Sequence, residues 1–238
     1  MLETIDLGLR LPKEEYKTRV PLLRRRLYEL QKQCWEKRIP VIVLFEGWTA
    51  AGKGSTINDL TEWLEPRVVK IHAITAPRTV EQHMPWLWRF WLKIPNYGET
   101  VILHQSWYRR LLVERVKRIA PKKDWKQAHV DIIDFERTLA ADGCQLVKFF
   151  LHIERKEQAT RLKKLLADPL SAMLLEAEDR DQNRLYKEYT IAIEEMLART
   201  SSEWGPWTLV AATDKYWTRI QVFETLIRRL EAAVGKKA

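Results

Sequence analysis

The sequence predicts a three-layer α/β fold, in which helices cover both faces of a parallel five-stranded sheet. Short apolar runs alternate with longer amphipathic segments along the whole chain. The first apolar run also ends in a glycine-bounded loop that opens a helix. Because crossovers between parallel strands are right-handed, the carboxyl ends of the strands should meet at one edge of the sheet, where ligands bind in such folds.

Each strand and helix is predicted from its own periodicity and its own stop signal. Residues 13–38 carry apolar side chains at helical spacing among many charges, and Pro40 ends this N-terminal helix. Thr79 is placed to cap a helix that continues through Trp91. Continuous apolar runs predict strands at residues 41–46, 68–74, 100–104, 145–153 and 207–212. Amphipathic stretches predict the other helices at residues 53–64, 111–119, 126–142 and 216–234, with a helical lid at about 155–199 that divides near Pro169.

The length of the chain indicates how many domains it forms, and its charge indicates which class of partner it binds. With 238 residues, no internal repeat and no linker rich in Gly or Ser, the chain predicts a single domain over residues 1–238. The 41 Lys and Arg exceed the 32 Asp and Glu, giving a formal charge of +9, so we expect a polyanionic partner. Charge alone does not choose among a nucleotide, a nucleic acid, polyphosphate and an acidic membrane surface.

Cysteine usage and hydropathy predict a soluble protein of the cytoplasm. Cys34 and Cys144 are the two cysteines, and they lack the paired spacing of zinc ligands or of a disulfide framework, which suits a reducing compartment. No apolar run reaches the ~18 residues that a membrane helix needs, and the N-terminal residues lack the pattern of a signal peptide. We therefore expect no membrane partner.

The stretch from Val41 to Ser55 predicts a phosphate-binding loop. Its spacing from Gly47 to Gly52 and Lys53 is that of the Walker A pattern, in which backbone N–H groups surround phosphate oxygens and a lysine adds positive charge. The following helix would add its N-terminal dipole. The candidate phosphate contacts of the loop are Gly47, Ala51, Gly52, Gly54 and Ser55. Ser55 is also the candidate metal ligand, since the hydroxyl expected directly after Lys53 comes one residue later. The alternative is an ordinary strand-to-helix turn, which glycines at these positions would also produce.

Further charged residues follow the ends of other predicted strands. Arg78 either binds polyphosphate or is a surface charge, and we expect at least one of Arg109 and Arg110 to face the anion site. Lys215 and Arg219 lie one helical turn apart, and they either reach a phosphate chain or are ordinary charges at a helix start.

His104 comes at the end of the third predicted strand, and its imidazole titrates near neutral pH. It could therefore act as an acid or a base at the predicted site. A histidine whose hydrogen bonds are satisfied at a strand end is the simpler interpretation.

Several separate stretches together resemble the polyphosphate kinase 2 family, whose members move a phosphoryl group between inorganic polyphosphate and a nucleotide. The matching stretches span nearly the whole chain in the family's order. They are Phe45-Glu46-Gly47, Ala51-Gly52-Lys53-Gly54, Ala76-Pro77, Trp88-Arg89-Phe90-Trp91, Ser106-Trp107-Tyr108, Val113-Glu114-Arg115-Val116, Asp168-Pro169, Pro206-Trp207, Asp214-Lys215 and Arg219. The resemblance implies a P-loop kinase-like core similar to that of thymidylate kinase, a helical lid, Mg²⁺ as cofactor, AMP, ADP or ATP as nucleotide, and a homo-oligomer, either a dimer or a tetramer. It does not favour nucleic acid as a partner.

The chain departs from the family pattern at positions that carry chemistry. Active members have an aspartate at the loop position of Thr49, and an aspartate followed by an arginine at the positions of His104 and Gln105. Carboxylates there hold magnesium and orient the nucleophile, whereas threonine and neutral histidine are weak ligands for this cation. A Trp-Lys pair that is common in the lid is replaced by Met173 and Leu174. In these respects the chain resembles the degenerate N-terminal half of members that carry two such domains.

The resulting prediction is a polyphosphate-dependent nucleotide phosphotransferase with Lys53, Arg109, Thr49 and His104 at the reacting centre. Two alternatives stay open. The first is a fold-mate that binds polyphosphate or nucleotide, is weak or inactive in catalysis and acts through a partner, and it follows from the loss of both aspartates. The second is an unrelated nucleotide kinase, which the matches outside the loop disfavour.

Overall fold

The computed structural model describes residues 1–173, 175 and 177–235. Leu174, one of the two lid positions at which the chain departs from the family pattern, lies outside the described residues, as do residues 236–238 of the predicted domain.

Five parallel strands of the described chain form one sheet with the order β2-β3-β1-β4-β5. The strands are β1 (Val41–Gly47), β2 (Val69–Ala73), β3 (Thr100–His104), β4 (Gln145–His152) and β5 (Trp207–Ala211). β1 lies at the centre, and its first six residues are buried, as a continuous apolar run in a parallel sheet should be. The predicted parallel five-stranded sheet is therefore confirmed.

Eleven α-helices connect and flank these strands within the described residues. They are α1 (Lys13–Glu36), α2 (Lys53–Thr61), α3 (Thr79–Gln82), α4 (Trp88–Trp91), α5 (Val113–Val116), α6 (Lys122–Ala141), α7 (Arg155–Ala167), α8 (Pro169–Met173), α9 (Ala177–Asp181), α10 (Tyr186–Thr200) and α11 (Lys215–Gly235). Short 3₁₀ turns occur at Leu2–Thr4, Pro66–Val68 and Trp107–Arg110. None of the helices in the described ranges combines the length and the apolar character needed to cross a bilayer.

The helices pack as two groups against the sheet. α1 and α2 pack with α11, which also contacts β4 and β5. α5, α6 and α10 contact one another, and α6 also contacts β4. Lys148 of β4 points toward the second group, because its ammonium reaches Glu136 of α6 and the carbonyl of Thr200 at the end of α10. The buried apolar side chains of both groups and of the sheet form one continuous core.

The helix predicted from Thr79 through Trp91 is wrong as a single element. It is divided into α3 and α4 around Pro85, which lacks the N–H that a continuous helix would need and restricts the residue before it. Thr79 is the first residue of α3 rather than its cap. The Glu81 carboxylate instead accepts the backbone N–H of Arg78 at 2.9 Å.

Two other predicted helical segments differ in detail. The segment at 111–119 is reduced to α5, which follows the 3₁₀ turn Trp107–Arg110 and ends before Arg118, whose φ of 56° is incompatible with a continuing right-handed helix. The described residues of the tract at 155–199 hold four helices instead of two pieces, although the division near Pro169 is confirmed by the end of α7 and the start of α8. This lid tract lies against the loop that follows β1, through contacts given below.

Candidate phosphate-binding site

The loop between β1 and α2 has a backbone that its glycines make possible. Gly47 has φ of 133°, and a β-carbon there would collide with the backbone carbonyl of Leu151 on the adjacent strand β4. Gly52 has φ of 94°, directly before the first residue of α2. Both values lie in a region that side chains disfavour. At Gly54, in contrast, a β-carbon would meet no atom within 4 Å, so this glycine is not required by packing.

Trp48 fastens this loop to the body of the protein. Its side chain is fully buried, and its Nε1 donates to His152 Nδ1 at 2.8 Å. The indole also stacks on the ring of Tyr186 in α10, with 4.0 Å between centroids. Burial lowers the pKa of His152 to about 4, so this imidazole is a neutral acceptor at physiological pH. These contacts of Trp48 therefore fix the position of the loop, and they leave its ring buried in the protein.

Lys53, the first residue of α2, turns back across the loop. Its ammonium donates to the carbonyls of Gly47 at 2.8 Å and Trp48 at 3.0 Å, and the residue is 7% exposed. Burial lowers the pKa of Lys53, while the nearby charges of Asp179 and Glu46 oppose that shift. The lysine is thus held at the position where the Walker A pattern places it, with loop carbonyls as its present partners.

The hydroxyls after Lys53 point to different surroundings. Ser55 is exposed, and its Oγ donates to the carbonyl of Gly52 at 3.0 Å. Thr56 is buried and donates to the same carbonyl at 2.8 Å. Ser55 is therefore the hydroxyl of α2 that solvent or a ligand can reach.

The tract at 155–199, which the sequence predicts to be a lid, contacts the loop through three residues that sequence reasoning did not select. Gln182 Oε1 accepts the backbone N–H of Thr49 at 2.6 Å, and Gln158 Nε2 donates to the same Gln182 oxygen at 2.7 Å. Arg161 donates to the carbonyl of Ala50 at 3.2 Å and to that of Thr213, after β5, at 2.7 Å. Their contacts to the loop are made with backbone groups and a neutral amide, for which the sequence carries no recognisable motif.

Asp179, also in the lid, contacts the side chain of Thr49. Thr49 Oγ1 donates to Asp179 Oδ1 at 2.6 Å. Asp179 is a further residue that the sequence analysis did not select as a candidate for the site. The folded chain brings it to the loop position at which the family pattern has an aspartate.

Glu46, the last acidic residue before the loop, lies near the end of β1 and is buried beneath the loop. The residue is 3% exposed, and Ser106 Oγ donates to its Oε1 at 2.7 Å. Burial raises the pKa of Glu46 to about 7, although the Ser106 hydrogen bond and the charges of Lys53 and Arg109 act in the opposite direction. This carboxyl group is therefore shared between its neutral and charged forms near pH 7.

His104 ends β3 and pairs in register with Phe45 of β1. Burial and the charge of Lys53 lower the pKa of His104 to about 4, with a smaller opposing effect from Asp179. The imidazole is therefore neutral at pH 7 and lies close to both charged groups. Gln105 follows with φ of 61°, and its Oε1 accepts a long hydrogen bond of 3.4 Å from Arg109.

A cavity of about 310 Å³ lies between helices α3, α4 and α5 and the 3₁₀ turn Trp107–Arg110. Three arginines line it, and its apolar walls include aromatic rings. These residues are Arg89, Arg109, Arg110, Trp86, Phe90 and Trp107. Arg110 pairs with Glu114 at 2.8 Å, and Arg89 with Glu81 at 3.4 Å. The buried Nε–H groups of Arg89 and Arg110 have no hydrogen-bond partner among the described residues, so they are available to donate to an anionic ligand.

Of the other predicted anion-binding residues, Arg78 lies at the edge of this cavity, next to its lining residue Glu81, whereas Lys215 and Arg219 do not line it. The Arg78 side chain is 82% exposed and approaches Glu81 at 3.4 Å. Lys215 is exposed, with its ammonium 5.0 Å from the centre of the Tyr216 ring. Arg219 pairs with Asp59 of α2 at 3.1 Å, which also accepts from Tyr16 and Arg24. Arg219 therefore belongs to an ion-pair cluster between helices.

A buried network supports the 3₁₀ turn that carries Arg109 and Arg110. Glu136 Oε1 accepts from Trp107 Nε1 at 3.0 Å and from the Tyr108 hydroxyl at 2.7 Å. Lys148 pairs with the other oxygen of Glu136 at 2.7 Å, and both charged side chains are fully buried. This network fixes the turn from inside the protein.

A model of the polyphosphate kinase 2 family matches residues 10–238. The chain belongs to the polyphosphate kinase 2 family. It is 37% identical over 236 residues to a polyphosphate:AMP phosphotransferase of Pseudomonas syringae, covering 99% of this chain and 47% of that protein. It is 33% identical over 211 residues to an AMP/ADP-polyphosphate phosphotransferase of Meiothermus ruber, covering 88% of this chain and 79% of that protein.

Solved structures of the polyphosphate kinase 2 family have the same fold. The protein described as polyphosphate kinase 2 from Pseudomonas aeruginosa superposes with a TM-score of 0.94 at 37% identity, covering 100% of this chain and 51% of that one. The enzyme from Arthrobacter aurescens gives a TM-score of 0.90 at 26% identity, covering 98% and 85% of the two chains. The chain thus spans about half the length of the first curated relatives that it matches.

Proposed function

We propose that this member of the polyphosphate kinase 2 family is a phosphotransferase that moves a phosphoryl group between inorganic polyphosphate and a nucleoside mono- or diphosphate. The observation that carries the proposal is the proximity of a phosphate loop to a cavity lined by arginines and aromatic rings. Glu46 links the two, since the charges of both Lys53 and Arg109 act on its carboxyl group. The names of the relatives as polyphosphate phosphotransferases support the same reaction.

On this proposal the loop binds a phosphate chain. Its backbone N–H groups and the N-terminus of α2 favour anionic oxygens. Lys53 exchanges the carbonyls of Gly47 and Trp48 for phosphate oxygens. The phosphate chain binds without the Thr49 N–H, because Gln182 of the lid accepts that donor.

The arginine-lined cavity receives the second phosphate-bearing substrate. Arg89, Arg109 and Arg110 would neutralise its phosphate oxygens, and the half-buried ring of Trp86 offers a surface for a nucleobase. Placing the two substrates side by side lowers the barrier for transfer between them, and the cationic groups stabilise charge on the moving phosphoryl group.

Magnesium is the cofactor that we propose for this reaction, and it would neutralise phosphate charge when bound. The described residues contain no group of three or more His, Cys, Asp or Glu side chains that could hold a metal by themselves. The donors that fit are therefore few: the exposed Ser55 hydroxyl, carboxylates near the loop and the oxygens of the substrate. Such a ligand set is the usual coordination of magnesium in proteins, in which the ion keeps several waters and binds one or two carboxylates together with phosphates.

A second candidate function is binding without efficient catalysis. Thr49 and the neutral His104 offer no charge at the centre, which favours this alternative. Such a protein would bind polyphosphate or nucleotide and act through a partner.

A coupled assay separates the two functions. Purified protein is incubated with Mg²⁺, polyphosphate and either AMP or ADP, and formation of ADP or ATP is followed. A Lys53→Met variant, purified in parallel, measures any contaminating kinase. Product formation above that variant supports the transferase. Retained polyphosphate binding without product would contradict it and favour the binding protein.

We also propose that the protein acts in the cytoplasm as a homo-oligomer, a dimer or a tetramer, without a nucleic-acid or membrane partner. Cys34 and Cys144 are free and buried, which suits a reducing compartment. Light scattering on eluted chromatographic peaks would give the mass of the assembly, and a monomer mass would contradict the oligomer.

A further inference from the structure

The loop of this chain contains no acid between Trp48 and Ser55, yet two acids approach it from other elements. Glu46 lies at the end of β1, and Asp179 lies on α9 of the lid. The charges of both act on Lys53, since each opposes the lowering of its pKa by burial. The carboxylate chemistry available to a phosphate chain on the loop therefore depends on these two residues.

Glu46 is poorly placed to serve a ligand. It is 3% exposed, and its Oε1 is occupied by the Ser106 hydroxyl at 2.7 Å. Because burial also raises the pKa of Glu46 to about 7, the group is partly protonated at neutral pH. A buried and partly protonated carboxyl group beneath the loop is a weak ligand for a divalent cation.

Asp179 lies above the loop and contacts it directly. Its Oδ1 accepts the Thr49 hydroxyl at 2.6 Å, and its charge reaches both Lys53 and His104. Gln182, which follows on the lid, accepts the Thr49 N–H at 2.6 Å. These paired contacts hold the Asp179 carboxylate over the mouth of the loop.

One carboxylate and a neighbouring hydroxyl, completed by phosphate oxygens and water, form a ligand set that magnesium accepts. We infer that Asp179 of the lid is the carboxylate that binds magnesium when a phosphate chain is bound at this loop. The inference rests on the proposed function. It assigns to a lid residue the charge that Thr49 and His104 do not supply. In the absence of magnesium, the same carboxylate repels the phosphate chain.

The test measures polyphosphate affinity by calorimetry, with Mg²⁺ and with a chelator, so that turnover is not required. In the wild-type protein Mg²⁺ should strengthen binding by about tenfold or more. Asp179→Asn should lose most of this enhancement and bind more tightly than wild type when the metal is absent. Asp181→Asn is the matched control, because it removes one charge from the same helix at a residue paired with Lys117 and Arg184. Its magnesium dependence should equal that of wild type.

A relocated carboxylate gives a second test. In the double variant Thr49→Asp with Asp179→Asn, the carboxylate is carried by residue 49 instead of residue 179, its contact partner. The variant should therefore recover the magnesium dependence that Asp179→Asn loses. Equal magnesium dependence in the Asp179→Asn and Asp181→Asn variants would overturn the inference and leave the proposed function intact. Wild-type protein that fails to bind polyphosphate under either condition would overturn the proposed function, and the inference with it.

Discussion

Lys53 donates to two carbonyls of its own loop, and these hydrogen bonds hold its ammonium group within the loop. Substituting Lys53 by Met should weaken polyphosphate binding by about 10- to 100-fold, because hydrogen bonds to a charged group contribute roughly 1.5–3 kcal/mol. Calorimetric titration measures the change. Lys123→Met, at an exposed position on α6, is the control and should bind as wild type does. Equal affinities for the two variants would exclude Lys53 as a phosphate ligand.

Glu46 makes stability depend on pH in a defined direction. Its pKa is raised from 4.5 to about 7 in the folded protein, so the native state binds more protons than the unfolded state between these values. The group therefore destabilises the fold increasingly as pH rises through that window.

Glu46→Gln should remove this contribution while keeping an acceptor for Ser106. Relative to wild type, the variant should gain stability from pH 5 to pH 8, by up to about 3 kcal/mol. Urea denaturation at a series of pH values measures the difference. A difference that does not change with pH would show that Glu46 is not the group responsible.

At the scale of elements, the buried pair Lys148 and Glu136 joins β4 to α6 beneath the turn Trp107–Arg110. Lys148→Met should lower the free energy of unfolding by about 3–5 kcal/mol, because it leaves an uncompensated carboxylate in the core. Arg137→Met removes an exposed partner of Asp134 on the same helix and should change it by less than about 1 kcal/mol. Similar losses for both variants, measured by chemical denaturation, would contradict the special role of the buried pair.

Some sequence signals were sufficient to predict an element of the fold, and others were not. The apolar run at β1 predicts a central parallel strand because a strand buried on both faces needs no polar alternation. The helix predicted from Thr79 to Trp91 fails at Pro85, since the apolar periodicity continued across a residue that interrupts helical hydrogen bonding. Periodicity reports which face of an element is buried, but it does not report where the element stops.

At the scale of the whole molecule, the formal charge of +9 should appear in the salt dependence of binding. Polyphosphate affinity should fall by about tenfold or more between ~0.05 and ~0.3 M salt, because salt ions screen the attraction between solvent-exposed basic side chains and the phosphates. AMP carries fewer charges and should show a smaller decrease in the same titrations. Salt-independent binding of polyphosphate would mean that the basic surface does not drive the association.

The sequence by itself determined the parallel sheet, the glycine-bounded loop after β1 and the family to which the chain belongs. These properties follow from local patterns: an apolar run, the spacing from Gly47 to Lys53, and short motifs in a fixed order. Each pattern depends on neighbours in the chain, so it can be recognised without the fold.

Only the tertiary structure decided which charged groups meet at the site. Asp179 reaches Thr49 across 130 positions of the chain, whereas Arg219 turns to Asp59 on a neighbouring helix. In a chain with 41 basic and 32 acidic residues, many pairings are chemically possible, and packing of the lid and the helices selects among them. That selection is a long-range property, which is why the loop could be predicted from sequence and the carboxylate above it could not.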